Sequence, residues 1–194
     1  MRVVVGLGNP GAAYAGHRHT VGFVVIEELA RRWRLPLGRR RRGVRMAQGM
    51  IGPASVVLAE PQLYMNRTGA ALRGIAQLTS ASDLIVIHDD LDLDAGRVRV
   101  KCGGGTAGHR GLESIVAEYG DQFTRVRVGV GRPPHGADAA EYVLSGFEPD
   151  EQPLIADAVQ RAADAVEYVL REGEAAAMNH FNVRSSRATA PRDT

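Results

Sequence analysis

The sequence is poor in several residue types, and each shortage excludes a class of structure. Only 5% of its 194 residues are aromatic, so the core must be built from aliphatic side chains and alanine. Cys102 is the single cysteine, which excludes an intramolecular disulfide and fits a reducing compartment. No apolar run reaches the roughly 18 residues that a membrane-spanning helix needs. Glycine, asparagine and proline follow Met1 too early for a secretion signal, so we expect a soluble, cytoplasmic protein.

The remaining composition is that of a globular domain. Hydrophobic residues make up 44% of the chain and charged residues 24%, which supports a packed core and excludes disorder of the whole chain. The length suits one domain, which we place at residues 1–184. The polar segment at residues 185–194 is expected to be a frayed tail.

The positive charge is almost entirely arginine. The formal net charge is +2, and every basic residue except Lys101 is an arginine. Eight of the 24 basic residues lie between Arg31 and Arg45, and four of them are consecutive, at residues 39–42. The guanidinium group presents a fixed fork of donors that matches phosphate, so this charge permits nucleic-acid binding by one face. Genomic base composition would enrich arginine equally well.

Hydrophobic periodicity predicts strands that alternate with helices. The predicted strands lie at residues 2–5, 43–50, 55–58, 84–87, 97–101 and 125–130. The predicted helices lie at residues 20–34, 67–79, 106–118, 137–144 and 154–170, with Thr20 capping the first and Gly173 ending the last. This alternation predicts a mixed α/β sheet with helices on both faces.

A glycine-dense loop follows the first predicted strand. Gly6-Leu7-Gly8-Asn9-Pro10-Gly11 formally satisfies the dinucleotide-binding pattern. The fit is poor, because Pro10 and Gly11 form a turn before a helix can begin. An acidic residue is also missing from the end of a second strand about 20 residues later. A nicotinamide-dependent dehydrogenase is therefore a competing hypothesis that rests on this one pattern.

Polar side chains stand where predicted strands end and helices begin. His19 precedes the first helix, whose positive end disfavours imidazolium and leaves a neutral ring that accepts a proton. Asn66 precedes the second helix, a position that is also typical of an N-cap. Asp89 follows the strand at residues 84–87, at the edge where α/β sheets bind ligands.

The acidic segment around Asp89 admits more than one interpretation. Asp90, Asp92 and Asp94 are spaced as in a calcium-binding loop, but Ala95 and Lys101 stand where that loop needs glycine and a carboxylate. A transition-metal site would need more histidine or cysteine nearby. The remaining interpretation is an aspartate that orients a histidine.

Cationic residues alternate along two predicted strands. They are Arg97, Arg99 and Lys101 on one strand and Arg125 and Arg127 on the other. Such a surface is suited to contacting phosphates. A solvated sheet face would show the same spacing.

Six motifs follow one another between Met1 and about Phe181. They are Gly6-Leu7-Gly8-Asn9-Pro10-Gly11 with Tyr14, Arg18-His19 with Gly22, Met65-Asn66 with Gly69, His88-Asp89-Asp90-Leu91-Asp92-Leu93, Gly103-Gly104-Gly105 with Gly108-His109 and Gly111, and Arg127-Val128-Gly129-Val130-Gly131. In this order they resemble the bacterial peptidyl-tRNA hydrolase family. The resemblance implies a compact single α/β domain with a mixed twisted sheet surrounded by helices. It also implies cleavage of the ester between a peptide and the 3′ ribose of tRNA, which recycles the tRNA, without a metal or a cofactor.

The same resemblance assigns roles to individual residues. His19 matches the base that activates water, and Asp89 matches its orienting partner. The positions that match the substrate's 3′ end and peptide are Asn9, Tyr14, Met65, Asn66 and His109. Lys101 and Arg127, with Arg99 beside them, match the residues that grip the tRNA 5′-phosphate. We expect a monomer, because a large substrate needs one open cleft.

Two positions depart from the family pattern. Thr20 and Arg110 stand where the family usually has asparagine. The second of those asparagines helps to hold the water and the peptide carbonyl, whereas Arg110 is long and charged and is expected to contact a phosphate or to point outward. A non-catalytic RNA-binding relative is therefore a second alternative. The intact set of His19, Asp89, Asn9 and Asn66 argues against it, because a binding protein does not need all four.

Overall fold

A six-stranded sheet forms the centre of the computed structural model, which describes residues 1–76, 78 and 80–183. The strands are β1 Arg2–Gly6, β2 Val44–Ile51, β3 Ala54–Pro61, β4 Leu84–Asp90, β5 Val98–Cys102 and β6 Thr124–Gly129, in the spatial order β2-β3-β1-β4-β6-β5. The four central strands are parallel, and the edge strands β2 and β5 are antiparallel to their neighbours. The mixed sheet and the single α/β domain are thus confirmed.

Helices cover both faces of the sheet. They are α1 Val21–Arg32, α2 Thr68–Leu72, α3 Arg110–Tyr119, α4 Ala139–Val143, α5 Gln152–Glu172 and α6 Glu174–Phe181, together with single 3₁₀ turns at Ala12–Tyr14, Arg18–Thr20, Met65–Arg67 and Ala81–Asp83. Helices α1, α5 and α6 pack on one face, and α2 and α3 pack on the other. Within the described residues, none of these helices combines the length and the apolar character needed to span a bilayer.

Side chains that alternate along the strands divide the core between these two layers. On β1, Val4 packs toward α1 and α5, whereas Val3 and Val5 pack toward α2 and α3. The buried side chains are mostly valine, leucine, isoleucine and alanine. Aliphatic side chains and alanine thus fill the core in place of aromatic ones, and the aliphatic core that we predicted is confirmed.

Helix boundaries differ from the prediction where backbone conformation overrides periodicity. Helix α1 stops at Arg32, because Arg34 adopts a left-handed conformation with φ 53°. Helix α3 begins four residues later than predicted, because Ala107 and Gly108 have φ values of 49° and 76°. Thr20 occupies the cap position of α1, but its side chain makes no capping hydrogen bond there.

Two further differences concern chain segments rather than single residues. Helix α2 ends at Leu72 instead of continuing to residue 79, and Thr79 itself lies outside the described residues. Gly173 ends α5 as predicted, but a sixth helix that was not predicted follows it directly. The tail predicted for residues 185–194 also lies outside the described part of the chain.

A close approach between α1 and the sheet positions the site. Gly22 lies where a Cβ atom would stand only 2.6 Å from the carbonyl oxygens of Leu7 and Ile87. Only glycine lets the helix come this near to the ends of β1 and β4. The 3₁₀ turn Arg18–Thr20 is thereby held over the carboxyl end of β4.

Candidate active site

Three side chains from different parts of the chain meet at the carboxyl end of β4. His19 Nδ1 lies 2.9 Å from both carboxylate oxygens of Asp89. His109 Nε2 lies 3.1 Å from Asp89 Oδ1, and the two imidazole rings are 4.8 Å apart. Asp89 is only 3% exposed. The predicted pair of His19 and Asp89 is therefore within hydrogen-bond distance, and a second histidine shares the same carboxylate.

Backbone donors fix the tautomer of His109. This residue caps α3, where its Nδ1 atom accepts hydrogen bonds from the backbone N–H groups of Gly111 and Leu112 at 3.2 and 3.4 Å. The proton of the neutral ring is consequently on Nε2, which donates to Asp89. His109 thus serves as a donor that holds the carboxylate in place.

The same reasoning applies to His19. Because an ionised Asp89 only accepts hydrogen bonds, the His19 proton lies on Nδ1 and the lone pair lies on Nε2. Within the described residues, Nε2 has no hydrogen-bond partner, and the ring lines the cleft. A lone pair in this position is available to take a proton from water.

Burial and charge set the ionisation of the neighbouring groups. Burial alone would raise the pKa of the Asp89 carboxyl, but the electrostatic attraction and hydrogen bond of the His109 Nε2–H group and the hydrogen bond of His19 outweigh burial and hold this pKa below its usual range. Burial, reinforced by His109, lowers the pKa of His88 to about 3. Asp89 is therefore ionised and His88 neutral near neutral pH.

A cleft of about 570 Å³ opens over these groups. Its lining includes His19, His88, Asp89, His109 and Arg110, and it extends to Arg132 and to Ala139, Ala140 and Val143 on and near α4. Arg110 is exposed at the first position of α3. The cleft is thus bordered by three elements that lie far apart in the sequence.

The predicted substrate-binding residues after β1 and β3 adjoin one another. The Asn9 side-chain oxygen accepts a hydrogen bond of 2.9 Å from the Met65 backbone N–H. Met65 is buried against Gly111, beside His109. Asn66 lies inside the 3₁₀ turn Met65–Arg67, not at its cap, and is exposed. Tyr14 contacts Tyr64 edge to face with a centroid separation of 6.3 Å.

A second pocket, of about 260 Å³, continues the cleft toward β5 and β6. It shares His88, Asp90, Asp92, Thr106 and Ala107 with the first, and it adds Lys101 and Arg127. Asp90 accepts a hydrogen bond of 2.7 Å from Arg127 Nε. This contact leaves the two terminal nitrogens of the guanidinium group for a ligand, which is the donor geometry that suits phosphate.

Two of the five predicted strand cations, Arg97 and Arg99, line neither of the two described pockets, and a third, Arg125, lines the second pocket but is turned inward. Arg125 is 3% exposed and donates to the carbonyl oxygens of Gly104 and Gly105, so it braces the glycine loop. Arg99 lies opposite Arg127 in the register but lines neither of the two described pockets. Arg125 points inward because it binds carbonyl oxygens of the glycine loop. The spacing of residues along the strand does not reveal these acceptors.

Sequence reasoning assigned no role to two residues next to the site. His88 belongs to a quoted motif, and its ring packs edge to face on His109 at 5.2 Å. Arg18 is buried, pairs with Glu151, donates to Ser145 Oγ at 2.8 Å and lies over the Tyr142 ring at 4.2 Å. It ties the segment after α4 to the turn that carries His19. The only sequence signal for both was their place beside an assigned residue.

His19, Asp89 and His109 also form a group that could hold a metal ion. One ligand atom from each residue lies within 4.8 Å of the other two. The sequence argument against a transition-metal site lacked these two histidines, which only the fold brings to Asp89. In the arrangement described above, the same atoms are already joined by hydrogen bonds.

The fold and the site together define an α/β enzyme with a histidine–aspartate pair in an open cleft. The family model for peptidyl-tRNA hydrolase matches residues 3–190. A peptidyl-tRNA hydrolase from Rubrobacter xylanophilus is 49% identical over 185 residues, which cover 93% of this chain and all of the relative. One from a Mycobacterium species (strain KMS) is 48% identical over 183 residues, 91% of this chain and 94% of the relative.

A solved structure supports the same conclusion. The crystal structure of peptidyl-tRNA hydrolase from Acinetobacter baumannii superposes with a TM-score of 0.88 at 33% sequence identity. The match covers 94% of this chain and 95% of the other. The chain therefore belongs to the peptidyl-tRNA hydrolase family, a family of hydrolytic enzymes.

Proposed function

We propose that this enzyme hydrolyses the ester between a peptide and the 3′ ribose of tRNA, and so returns the tRNA for use. The observation that carries the proposal is the His19 ring, bound through Nδ1 to both oxygens of Asp89 and open to the cleft through Nε2. Family membership supplies the substrate class. The cleft and the adjoining basic pocket supply a place for an acyl group and for an RNA end.

The reaction begins with a proton transfer from water to His19 Nε2. The water oxygen bonds to the ester carbonyl carbon, and the negative charge moves to the carbonyl oxygen. Asp89 stabilises the imidazolium that forms, because it accepts the Nδ1–H hydrogen bond and carries the opposite charge. General-base assistance of this kind contributes about 10²–10⁴-fold to the rate.

Collapse of the tetrahedral intermediate completes the cycle. The bond between the carbonyl carbon and the ribose O3′ breaks, and the imidazolium returns its proton to O3′ as the alcohol leaves. The products are a peptide carboxylic acid, which loses its proton to solvent, and a tRNA with a free 3′ hydroxyl. His19 is thereby returned to its neutral form beside the ionised Asp89, without a further reactant.

Two asparagines on the turns that pack against the His109 segment are suited to placing the ester. Asn66 is exposed, so its amide N–H groups are free to bind the peptide main chain and to donate to the developing oxyanion. Asn9 uses its oxygen to bind Met65, which directs its amide nitrogen elsewhere, toward the substrate's 3′ end in this proposal. Tyr14 and Met65 form the neighbouring wall.

The pocket beside β5 and β6 is suited to the 5′-phosphate of the tRNA. Lys101 is exposed there, and Arg127 is oriented by Asp90. A single enzyme molecule presents all of these groups, which is consistent with action as a monomer. Arg110, exposed at the start of α3, lies where a charged side chain meets a substrate phosphate or solvent.

The test is peptide release from a short N-blocked peptidyl-tRNA by purified protein. We expect His19→Ala to lower kcat by about 10²–10⁴-fold, because the general base is lost. His180→Ala is the matched control, since His180 is exposed on α6 and stacks on Tyr168. Retention of near-full activity by His19→Ala would refute the base assignment, and tRNA binding without turnover by the unmodified protein would favour a non-catalytic RNA-binding relative.

A further inference from the structure

Four consecutive arginines form an exposed segment that ends in a turn before β2. Arg39, Arg40, Arg41 and Arg42, which we name the arginine run, are all exposed. Among residues 1–76, 78 and 80–183, no carboxylate forms an ion pair with any of them. Two arginines nearby are paired, Arg31 with Glu28 at 2.7 Å and Arg45 with Glu60 at 2.9 Å, whereas Arg34, like the run, forms no ion pair among the described residues. The charge of the run is therefore left unneutralised.

The turn itself is well anchored. Arg41 and Val44 exchange backbone hydrogen bonds of 2.8 and 3.0 Å, with Arg42 and Gly43 at φ 50° and 82° between them. Gly74 allows the turn to approach closely, because a Cβ atom there would lie 2.6 Å from the Arg42 carbonyl oxygen. Left-handed backbone at a non-glycine residue is costly, and here it presents charged side chains outward.

The arginine run lies on the same edge of the sheet as the catalytic groups. Strand β2 is antiparallel to β3, with Val44 opposite Pro61, so β2 begins where β3 ends. The Gln62 backbone N–H donates to the Gly43 carbonyl oxygen at 2.6 Å, and Met65 follows three residues later. The run therefore adjoins the segment that carries Met65 and Asn66, at this edge of the sheet.

Lys101 on β5 and Arg127 on β6 lie toward the other side of the sheet, in the pocket that continues the cleft. Strand β2 is separated from β6 by four strand spacings, or about 19 Å at roughly 4.8 Å each. The catalytic centre, at the ends of β1 and β4, lies between these two basic groups. An RNA helix carries phosphates on both of its strands, so it can meet cations on both sides of a cleft.

We propose that the arginine run contacts backbone phosphates of the substrate tRNA, on the side of the cleft opposite Lys101 and Arg127. This inference rests on the proposed function for the identity of the RNA. The contacts are electrostatic and independent of base sequence, and they position the molecule on the enzyme. They extend the tRNA-binding surface from one flank of the catalytic centre to both.

The experiment compares two variants that lose the same charge. R39Q/R40Q/R41Q removes three members of the run and keeps Arg42, whose backbone packs on Gly74. R31Q/R161Q/R171Q removes three exposed arginines from α1 and α5. Both variants lower the formal charge by three, so a difference between their affinities for tRNA depends on where the charges lie. R39K/R40K/R41K restores the charge, and circular dichroism melting confirms folding.

Binding of deacylated tRNA is followed by fluorescence anisotropy over a range of salt concentrations. We expect R39Q/R40Q/R41Q to bind about 10-fold or more weakly at low salt, with the slope of log K against log salt reduced by about two to three units. R31Q/R161Q/R171Q should bind as the unmodified protein does, and R39K/R40K/R41K should restore most of the affinity. An unchanged slope in R39Q/R40Q/R41Q, or the same loss in the R31Q/R161Q/R171Q control, overturns the proposal.

Turnover identifies which RNA is bound. We expect kcat/KM to fall for full-length peptidyl-tRNA and to stay unchanged for a peptidyl ester of adenosine alone, which carries no backbone phosphate. If R39Q/R40Q/R41Q loses affinity for an unrelated RNA hairpin while kcat/KM for peptidyl-tRNA is unchanged, another RNA is the partner and the proposal is wrong. Lack of turnover by the unmodified protein would instead refute the proposed function, whereas the anisotropy result stands on its own.

Discussion

The pKa values of two buried carboxyl groups in this protein are shifted in opposite directions. Asp89 receives hydrogen bonds from two histidines, which keep its pKa below the usual range despite burial. Glu60, on β3, is fully buried and has Arg45 as its ion-pair partner at 2.9 Å, while its Oε1 atom has no hydrogen-bond partner among the described residues. Burial raises the pKa of Glu60 to about 7, with Arg45 opposing and Glu27 reinforcing the shift. Both carboxyl groups are buried, so the difference between their pKa values follows mainly from the number of hydrogen-bond donors that each one has.

Glu60→Gln is expected to change the pH dependence of stability. Because the folded pKa is raised, folded Glu60 keeps a proton that the unfolded chain has lost between about pH 4.5 and pH 7. The stability due to that proton is complete below pH 4.5 and is lost as the pH rises through 7. Glutamine has no such proton. As the pH rises from 4.5 to 8, the free energy of unfolding of the variant should therefore increase by on the order of 3 kcal/mol relative to that of the unmodified protein.

Urea denaturation at the two pH values measures the difference in the free energy of unfolding. Asp157→Asn is the control, because Asp157 is an exposed carboxylate on α5 and should show no such change. An identical difference between Glu60→Gln and the unmodified protein at both pH values would show that Glu60 ionises normally in the fold.

At the scale of elements, one glycine determines where His19, the proposed general base, is positioned. Gly22 lets α1 cross the ends of β1 and β4 at backbone contact, and the turn Arg18–Thr20 precedes that helix directly. Interiors are packed densely enough that an added methyl group there must move backbone atoms. A displaced α1 would carry His19 away from Asp89.

Gly22→Ala should therefore affect stability and catalysis together. We expect a loss of about 1–3 kcal/mol in the free energy of unfolding, since backbone atoms of Leu7 and Ile87 must shift. The kcat for peptidyl-tRNA should fall at least about tenfold, because misplacement of about 1 Å is enough to disturb a catalytic group. Gly16→Ala is the control, since nothing lies within 4 Å of the added Cβ and Gly16 has no positive φ. Equal melting temperatures for the two variants would show that the contact at Gly22 is not tight.

The elements also show how far the sequence determines the fold. All six strands were predictable, because β-branched runs and period-two alternation mark them clearly, as at β4 and β6. The start of α3 was not predictable from the sequence, because the left-handed conformation of Ala107 depends on the loop that it closes. The His19–Asp89 pair followed from the family resemblance. The inward turn of Arg125 did not, because it depends on carbonyl groups that only the folded loop gathers.

At the scale of the whole molecule, the basic groups divide into paired and unpaired ones. Arg18 and Arg32 are fixed by carboxylates that hold helices together. The arginine run is exposed on the edge of the sheet that carries the cleft, and Lys101 is exposed in the pocket that continues it. No ion pair joins any of these residues to a carboxylate of the described residues. A small net charge of +2 thus conceals a surface on which unneutralised cations flank the site.

Lys101→Gln tests whether this surface recognises the 5′-phosphate of the tRNA. Lys101 lines the second pocket with Arg127, and a charge-assisted contact to phosphate contributes about 1.5–3 kcal/mol, or roughly 10-fold to 100-fold in affinity. Removal of the 5′-phosphate should cost the unmodified protein about that factor, as measured by anisotropy. Removal of the 5′-phosphate should lower the affinity of Lys101→Gln much less, because this variant already lacks the lysine that binds the phosphate. Arg171→Gln should behave like the unmodified protein. Equal losses in Lys101→Gln and the unmodified protein would mean that Lys101 and the phosphate do not interact, and the pocket would have to hold another part of the substrate.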